Sequence, residues 1–244
     1  MHLEVVTSAD RPDLMSQAGT AFRERWPEFI FHDPVPPRYV DRVARYFRQY
    51  DVLLHEAGRV VAGGWGVPFV WNRTPAGLPE GYDATLVAAV EEHEAGRAPN
   101  AFSFMAAAVN LHYDQRGLAT QALTALMERA TQAGILHVFA PIRPTWKHRY
   151  PNVGMAEYAT WTGADGLSID PWTRTHQRMG AVIVRPAPNS MVIPGKVAEW
   201  ETWAKMVFPV SGDYIVPDAL NMLHVDCEND TAVYREENLW MQHR

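Results

Sequence analysis

The feature that most restricts this chain is a continuous apolar run, Ala101 to Leu111, tied by the short link 112–117 to a segment patterned as a helix. A run of that kind, without polar alternation, reads as a strand buried on both faces. From Leu118 to Ala133 the period changes. Leu118, Ala122, Leu126 and Ala130 recur every four residues, while Ala119, Leu123 and Met127 widen the same face. Gly134 is placed to end that helix. A strand covered on both sides needs a layer above it and a layer below, and the helix that follows can supply one of them.

The flanking sequence supplies the other layers. His2 to Thr7 predicts a first strand, Ser8 a helix cap, and Pro12 the first turn of a helix carrying Leu14, Ala18, Ala21, Phe22 and Arg25. Pro36-Pro37 opens a second helix with Val40, Val43, Ala44 and Phe47 on one face. Asp51 to Glu56 and Arg59 to Trp71 predict two strands joined at Ala57-Gly58. Gly63, Gly64 and Gly66 in the second mark a bulge or a close backbone approach. Residues 72–100 read as an insert with a helix from Asp83 to Arg97, and Ile135 to Ile142 as another buried strand.

Residues 143–170 are long and irregular, which in a compact domain marks a functional loop or concealed structure. A short helix, Pro171 to Met179, ends at Gly180, and Ala181 to Arg185 predicts a strand. A later helix, Lys196 to Val207, places Trp200 and Trp203 on a core face, and strands near Tyr214 and from Leu223 to Val225 complete the pattern. The expected class is α/β or α+β, three layers deep, with residues 1–186 as one domain and 187–244 as an extension packed on it.

Charge and cysteine content exclude several functions. Lys and Arg number 22 against 28 Asp and Glu, a net charge of −6, where a general nucleic-acid binder carries a basic excess. Cys227 is the only cysteine, so neither an intrachain disulfide nor a thiolate metal site can form. The ten histidines lack ligand spacing, and no metal is expected. Residues 1–30 hold no signal-peptide pattern, and no stretch approaches the roughly 18 apolar residues of a membrane span, so a cytoplasmic chain without membrane contact is expected. The sequon at Asn72-Arg73-Thr74 then reads as chance. No G-x-S-x-G elbow, P-loop, H-E-x-x-H or paired-cysteine motif occurs.

The most informative stretch is Ala107-Ala108-Val109-Asn110-Leu111-His112-Tyr113-Asp114-Gln115-Arg116-Gly117-Leu118-Ala119-Thr120. Unpaired N–H groups at a helix start, reinforced by the helix dipole, attract a phosphate. Gly117 permits close approach and Arg116 can add charge-assisted bonds. The alternative is an ordinary strand-to-helix turn, in which glycine is common.

This stretch resembles the signature of the GNAT superfamily of acyl-CoA N-acyltransferases: Arg or Gln, two residues, Gly, one residue, then Gly or Ala. Gly117, Leu118 and Ala119 match its second half. Arg174-Thr175-His176-Gln177-Arg178-Met179-Gly180-Ala181 resembles the superfamily's later Tyr-x-x-x-Gly-Phe helix, with Gly180 as the Gly and His176 in the Tyr position. The likeness covers roughly Leu3 to Pro186. Asp114 stands where the signature has Arg or Gln, and Leu111 replaces a frequent Pro; a carboxylate beside a pyrophosphate repels it unless it points away or pairs with Arg116.

The resemblance implies a mixed, mostly antiparallel sheet flanked by helices, and a fixed set of roles. Backbone amides of Gln115, Arg116, Gly117, Leu118, Ala119 and Thr120 would hold the pyrophosphate of acetyl-CoA or another acyl-CoA. The splayed strand end at Val109, Asn110 and Leu111 would pair with the pantetheine and lend one amide to the thioester carbonyl. His176 would protonate the departing thiolate, directly or through a water. Glu157, Asp165 and Asp170 lie in the loop expected to face the acceptor amine, and nothing selects among them. The aromatic residues from Trp146 to Trp161 either line an acceptor pocket or pack their own loop. The Glu91-Glu92-Glu94 cluster reads as a solvated helix face.

The implied activity is acetyl transfer to an amine of a small molecule within a ternary complex, with a homodimer possible. The alternatives are a GNAT-like decarboxylase or thiol acyltransferase acting on CoA or carrier-protein thioesters, and a non-catalytic acyl-CoA-binding module.

Overall fold

The apolar run becomes strand β4 (Ala101–Val109), and it lies inside the sheet. The structure is a computed structural model and describes residues 3–113 and 117–243. Before β4 come β1 (Leu3–Thr7), helix α1 (Met15–Arg23), α2 (Pro36–Tyr46), β2 (Asp51–Glu56), β3 (Arg59–Phe69) and α3 (Tyr82–Glu94). After it come α4 (Leu118–Gln132), β5 (His137–Ile142), α5 (Met155–Tyr158), α6 (Pro171–Arg178), β6 (Val182–Gly195), α7 (Val197–Ala204), β7 (Gly212–Tyr214), β8 (Leu223–Asp226) and β9 (Thr231–Gln242).

Among the described residues the strands form one sheet in the order β1-β2-β3-β4-β5-β9-β8-β7, with β6 pairing β9 from outside that path. Every pairing is antiparallel except β4 with β5. Helix α4 packs across β2, β3 and β4, and α3 lies against β3 and β6. The expected mixed, mostly antiparallel sheet flanked by helices is therefore the fold. Leu118, Leu123 and Leu126 of α4 are all but fully buried, each worth roughly 1.5–3 kcal/mol in area removed from water. That stripe was set by the four-residue spacing.

Two features of the sheet create an opening. Strands β4 and β5 pair only over Ala101↔His137, Phe102↔Val138 and Ser103↔Phe139, and beyond Ser103 they part. On its other edge β4 stays paired with β3 as far as Val109, but Trp65 faces Ala106 and Gly66 faces Phe104, leaving Met105 as the extra residue of a β-bulge. A bulge bends and twists its strand, and here it lies where β4 leaves β5. The glycines of β3 permit the approach. A Cβ on Gly64 would sit 2.8 Å from the Ala106 carbonyl oxygen, and one on Gly66 would sit 2.5 Å from that of Ser103.

The C-terminal third departs most from the sequence pattern. The strand expected at Ala181 to Arg185 runs on to Gly195, through the position where the two-part division was drawn. Pro186, Pro188 and Pro194 disguise it; among the described residues β6 pairs only with β9, and an edge strand tolerates proline. Strand β9 was not expected. Its middle, Arg235-Glu236-Glu237-Asn238, has the polarity of a loop, yet Glu236 and Asn238 are buried and β9 bridges β5, β6 and β8. Phe29, Trp200 and Tyr234 pack together under this part of the sheet, while Trp203 is half-buried and stacks on His32. No helix among the described residues is long and apolar enough to cross a membrane.

Candidate active site

The parting strands open onto a cavity of about 520 Å³. Met105, Ala106 and Ala107 of β4 face Ala140, Pro141 and Ile142 of β5 across it. Trp26, Phe31, Trp65, Tyr82 and Trp172 give it aromatic walls, and Asp33, Arg143, Glu236 and His176 supply its ionisable groups.

His176 sits on α6, whose start is fixed by Asp170. The buried Asp170 carboxylate caps the helix through the Trp172 and Thr173 amides, both at 3.0 Å, and also accepts from the Trp146 amide and the Tyr158 hydroxyl. This rigid cap presents His176, 1% exposed, to the cavity with Trp172 edge-on at 4.6 Å. Its Nδ1 lies 2.8 Å from Nε2 of His243, and its own Nε2 has no hydrogen-bond partner. Burial, and then the neighbouring His243, depress the His176 pKa to about 3. His176 is thus a neutral imidazole at physiological pH.

A buried polar network drawn from β9, β6, α3 and the residue that follows β5 also borders the cavity. Glu236 on β9 accepts from Arg143 Nε at 3.0 and 3.1 Å, from the Tyr234 hydroxyl at 2.9 Å and from Asn238 Nδ2 at 3.0 Å. Arg143 also donates to the Asp218 carbonyl, at 2.6 Å. Ser190 on β6 donates to Asn238 Oδ1 at 2.5 Å and accepts the Tyr82 amide at the start of α3. Glu236 is fully buried and fully paired.

Asp33 is different. It is 1% exposed, its Oδ1 accepts the Val35 amide at 2.9 Å, and its Oδ2 has no donor. In the first turn of α3, Asp83 also has an oxygen that no N–H or hydroxyl reaches, Oδ1, and the two carboxyls hydrogen-bond each other. Each carboxyl perturbs the other. Burial, then Asp33, push the Asp83 pKa up to about 8, and burial with the Glu236 charge raises that of Asp33. Two buried carboxylates in contact cannot both ionise freely, so the pair retains a proton near neutrality.

Of the described signature residues, none from Val109 to Leu111 or from Gly117 to Thr120 lines the cavity. Gly117 caps α4 with φ 68°, the left-handed region that favours glycine, and no side chain caps the helix. The first amides of α4, those of Leu118, Ala119 and Thr120, have no intrahelical acceptor, as any helix start leaves them. Leu118 is buried; Ala119 and Thr120 are half-buried. The Val109 carbonyl accepts Arg25 Nε at 2.7 Å, the Asn110 amide donates to the Val61 carbonyl at 2.9 Å, and Leu111 is exposed in a 3-10 turn, Leu111–Tyr113. Gln115 and Arg116, like Asp114, lie outside the described residues.

Of the three acids offered for the acceptor side, Glu157, Asp165 and Asp170, none lines the cavity. Tyr150, Tyr158 and Trp161 pack on one another, so these rings fill their own loop. Asp33, Asp83, Arg143, Glu236 and His243 were missed. They are single residues scattered along the chain, and no local pattern marks them.

No protein-family model matches the sequence. A curated relative does: the arginine N-acetyltransferase avaD of Aspergillus versicolor is 30% identical over 272 residues, covering 97% of this chain and 92% of that protein. The chain belongs to the GNAT superfamily. It is an acyl-CoA-dependent N-acyltransferase, and the relative favours amine transfer over the decarboxylase and thiol-transfer alternatives. Solved GNAT folds resemble it along their whole length. The loading GNATL domain of CurA from Lyngbya majuscula matches with a TM-score of 0.61 and 15% identity, covering 100% of this chain and 98% of that one. The GphF GNAT-like decarboxylase in complex with isobutyryl-CoA matches with a TM-score of 0.59, 15% identity and the same coverage. These two likenesses establish the fold.

The GNAT architecture gives the opening its meaning. An unpaired strand edge beside free helix amides suits an acyl-CoA, because pantetheine carries peptide-like amides that can pair with a strand and the pyrophosphate suits the helix start. The residues present fit that donor: the edge beyond Ser103 is unpaired toward β5, and Gly117 leaves open space where a Cβ would stand.

Proposed function

We propose that this enzyme transfers an acetyl group from acetyl-CoA to an amine of a small, cationic, arginine-like acceptor, with His176 handling the proton of the leaving thiol. The observation that carries this reading is the cavity where β4 and β5 part, which is lined by a neutral histidine and by the buried carboxylates of Asp33 and Glu236. The arginine N-acetyltransferase relative supports the acceptor class.

The bound acyl-CoA supplies an activated acyl group as its thioester. The residues of this chain then do three things. The amides of Gly117 to Thr120 hold the pyrophosphate; Gln115 and Arg116, to which the signature gives the same role, lie outside the described residues. The bulged edge at Met105 and Ala106, rather than Val109 to Leu111, directs a backbone N–H toward the thioester carbonyl, since the cavity meets β4 there. Aromatic walls hold the acceptor against that carbonyl, and holding two reactants together supplies much of the rate.

Net transfer moves one proton from the amine nitrogen to sulfur. With Nδ1 hydrogen-bonded to His243 Nε2 at 2.8 Å, a neutral His176 can accept the amine proton at its free Nε2 and hand it to the departing sulfur, so that both histidines end in the protonation state in which they began.

Release of CoA from acetyl-CoA with L-arginine as acceptor, together with calorimetric titration of acetyl-CoA and CoA, tests the reading. Arginine-dependent release and micromolar binding are expected. Gly117→Glu should abolish binding by setting a carboxylate against the pyrophosphate, and His176→Ala should remove turnover while sparing binding. Absence of binding at millimolar acetyl-CoA overturns the proposal, and unchanged turnover in His176→Ala removes that residue from the mechanism.

A further inference from the structure

We propose that Asp33, backed by Asp83, is the specificity subsite of the acceptor pocket. It receives the guanidinium or similar cationic end of the substrate in exchange for the proton that the two carboxyls share. The inference rests on the acetyltransferase reading above and adds to it the residues that choose the acceptor.

Three observations lead there. First, Asp33 lines the cavity, is 1% exposed, and its carboxyl is bonded by the Val35 amide and by Asp83 and by no cation, so a charged ligand group in the cavity can compete for it. Second, the nearby cation is already committed: Arg143 is held by Glu236 and by the Asp218 carbonyl, so it does not neutralise the aspartate pair. Third, Trp26, Phe31, Trp65 and Trp172 line the same cavity and offer faces to a planar cation or to the methylenes that carry it.

The groups facing the pair are Tyr82 on α3 and Glu236 on β9, with Arg143 and Tyr234 behind Glu236. None of them supplies Asp33 Oδ2 with a donor. In the free enzyme one proton fills the gap between the two carboxyls. A guanidinium brings up to five donors in a planar fork and a full positive charge. Its arrival lets both aspartates ionise, and the shared proton leaves to solvent. Charge balances: one cation enters and one proton departs. A neutral urea of the same shape offers fewer donors and no charge, so it cannot displace the proton.

L-Citrulline, the neutral isostere of L-arginine, is therefore the decisive competitor. Wild-type kcat/KM is expected to favour arginine by about 100-fold or more, as sites built on buried polar partners do. Asp33→Asn and Asp83→Asn should each cut that preference at least tenfold, chiefly through the KM for arginine and with the KM for acetyl-CoA unchanged. Calorimetry of L-arginine binding at pH 7, in two buffers of different ionisation heat, should show release of about one proton by the wild type and none by Asp83→Asn.

The wild-type measurements do not depend on either variant folding. CoA release at similar rates with arginine and citrulline, or arginine binding without proton release, overturns the subsite and leaves the acetyltransferase reading standing. Arginine binding with proton release but no CoA release overturns that reading and leaves the subsite standing.

Discussion

Acidification should weaken this protein through His176, and the size of the effect follows from its surroundings. In the unfolded chain the imidazole titrates near 6.5; in the fold, burial and His243 hold it to about 3. Between those values the unfolded state binds a proton that the folded state refuses, so stability falls as pH drops. Between pH 7 and pH 5 the unfolded group gains about 0.7 of a proton and the folded one almost none. Linkage then gives a loss of about 2 kcal/mol from this one residue, or about 4–8 °C in Tm for a domain of this size. Other groups titrate over the same range, so the informative quantity is a difference between two proteins.

Urea denaturation of the wild type and of His176→Gln, at half-unit steps from pH 5 to pH 7.5, measures it. The glutamine retains a polar partner for His243 without titrating. The wild-type curve should fall more steeply, with the two converging or crossing by about 2 kcal/mol over the range. Curves that stay parallel within about 0.5 kcal/mol would mean that His176 titrates alike in both states. The neutral-imidazole relay would then have no basis.

Three further outcomes are expected. Asp83 titrates in the opposite sense: its folded pKa is raised, so the stability it contributes is full below about 3.8 and is lost as pH rises toward 8. Asp83→Asn should thus gain on the wild type between pH 4.5 and pH 8, on the order of 2 kcal/mol given the coupling of the pair, as read by urea midpoints. Glu236→Leu should cost about 3–5 kcal/mol in denaturation, because it strands the Arg143 guanidinium without its counter-charge. Gly66→Ala drives a Cβ into the Ser103 carbonyl oxygen and the Phe102 ring; a loss of about 1–3 kcal/mol is expected, with weaker acetyl-CoA binding in calorimetry because the strands part at that point.

The sensitivity of these sites explains which parts of the protein could be read in advance. The strand–turn–helix unit from Ala101 to Ala133 was legible because burial on both faces and a four-residue stripe are local patterns, and either neighbour in the chain reveals them. The glycines of β3 were legible as a close approach because only a missing side chain admits one. His176 could be placed by its distance from Gly180 in a short helix. Its acid strength could not, because that depends on His243, 67 residues on, and on burial under Phe104 and Trp172.

By itself, then, the sequence determined the layered fold, the position of the signature turn and the short helix that carries His176. All are fixed by periodicity and by the few residues that permit tight backbone geometry. Only the tertiary structure decided what lines the cavity. Strand β9 reads as a polar loop until it lies between β5, β6 and β8, where Glu236 and Asn238 become buried partners and His243, just beyond its end, meets His176. Asp33 and Asp83 are ordinary acids in sequence and perturb each other only because the fold brings the start of α3 against Asp33. A charge acquires its chemistry from the water it loses and the charges it meets, and both are properties of the folded chain.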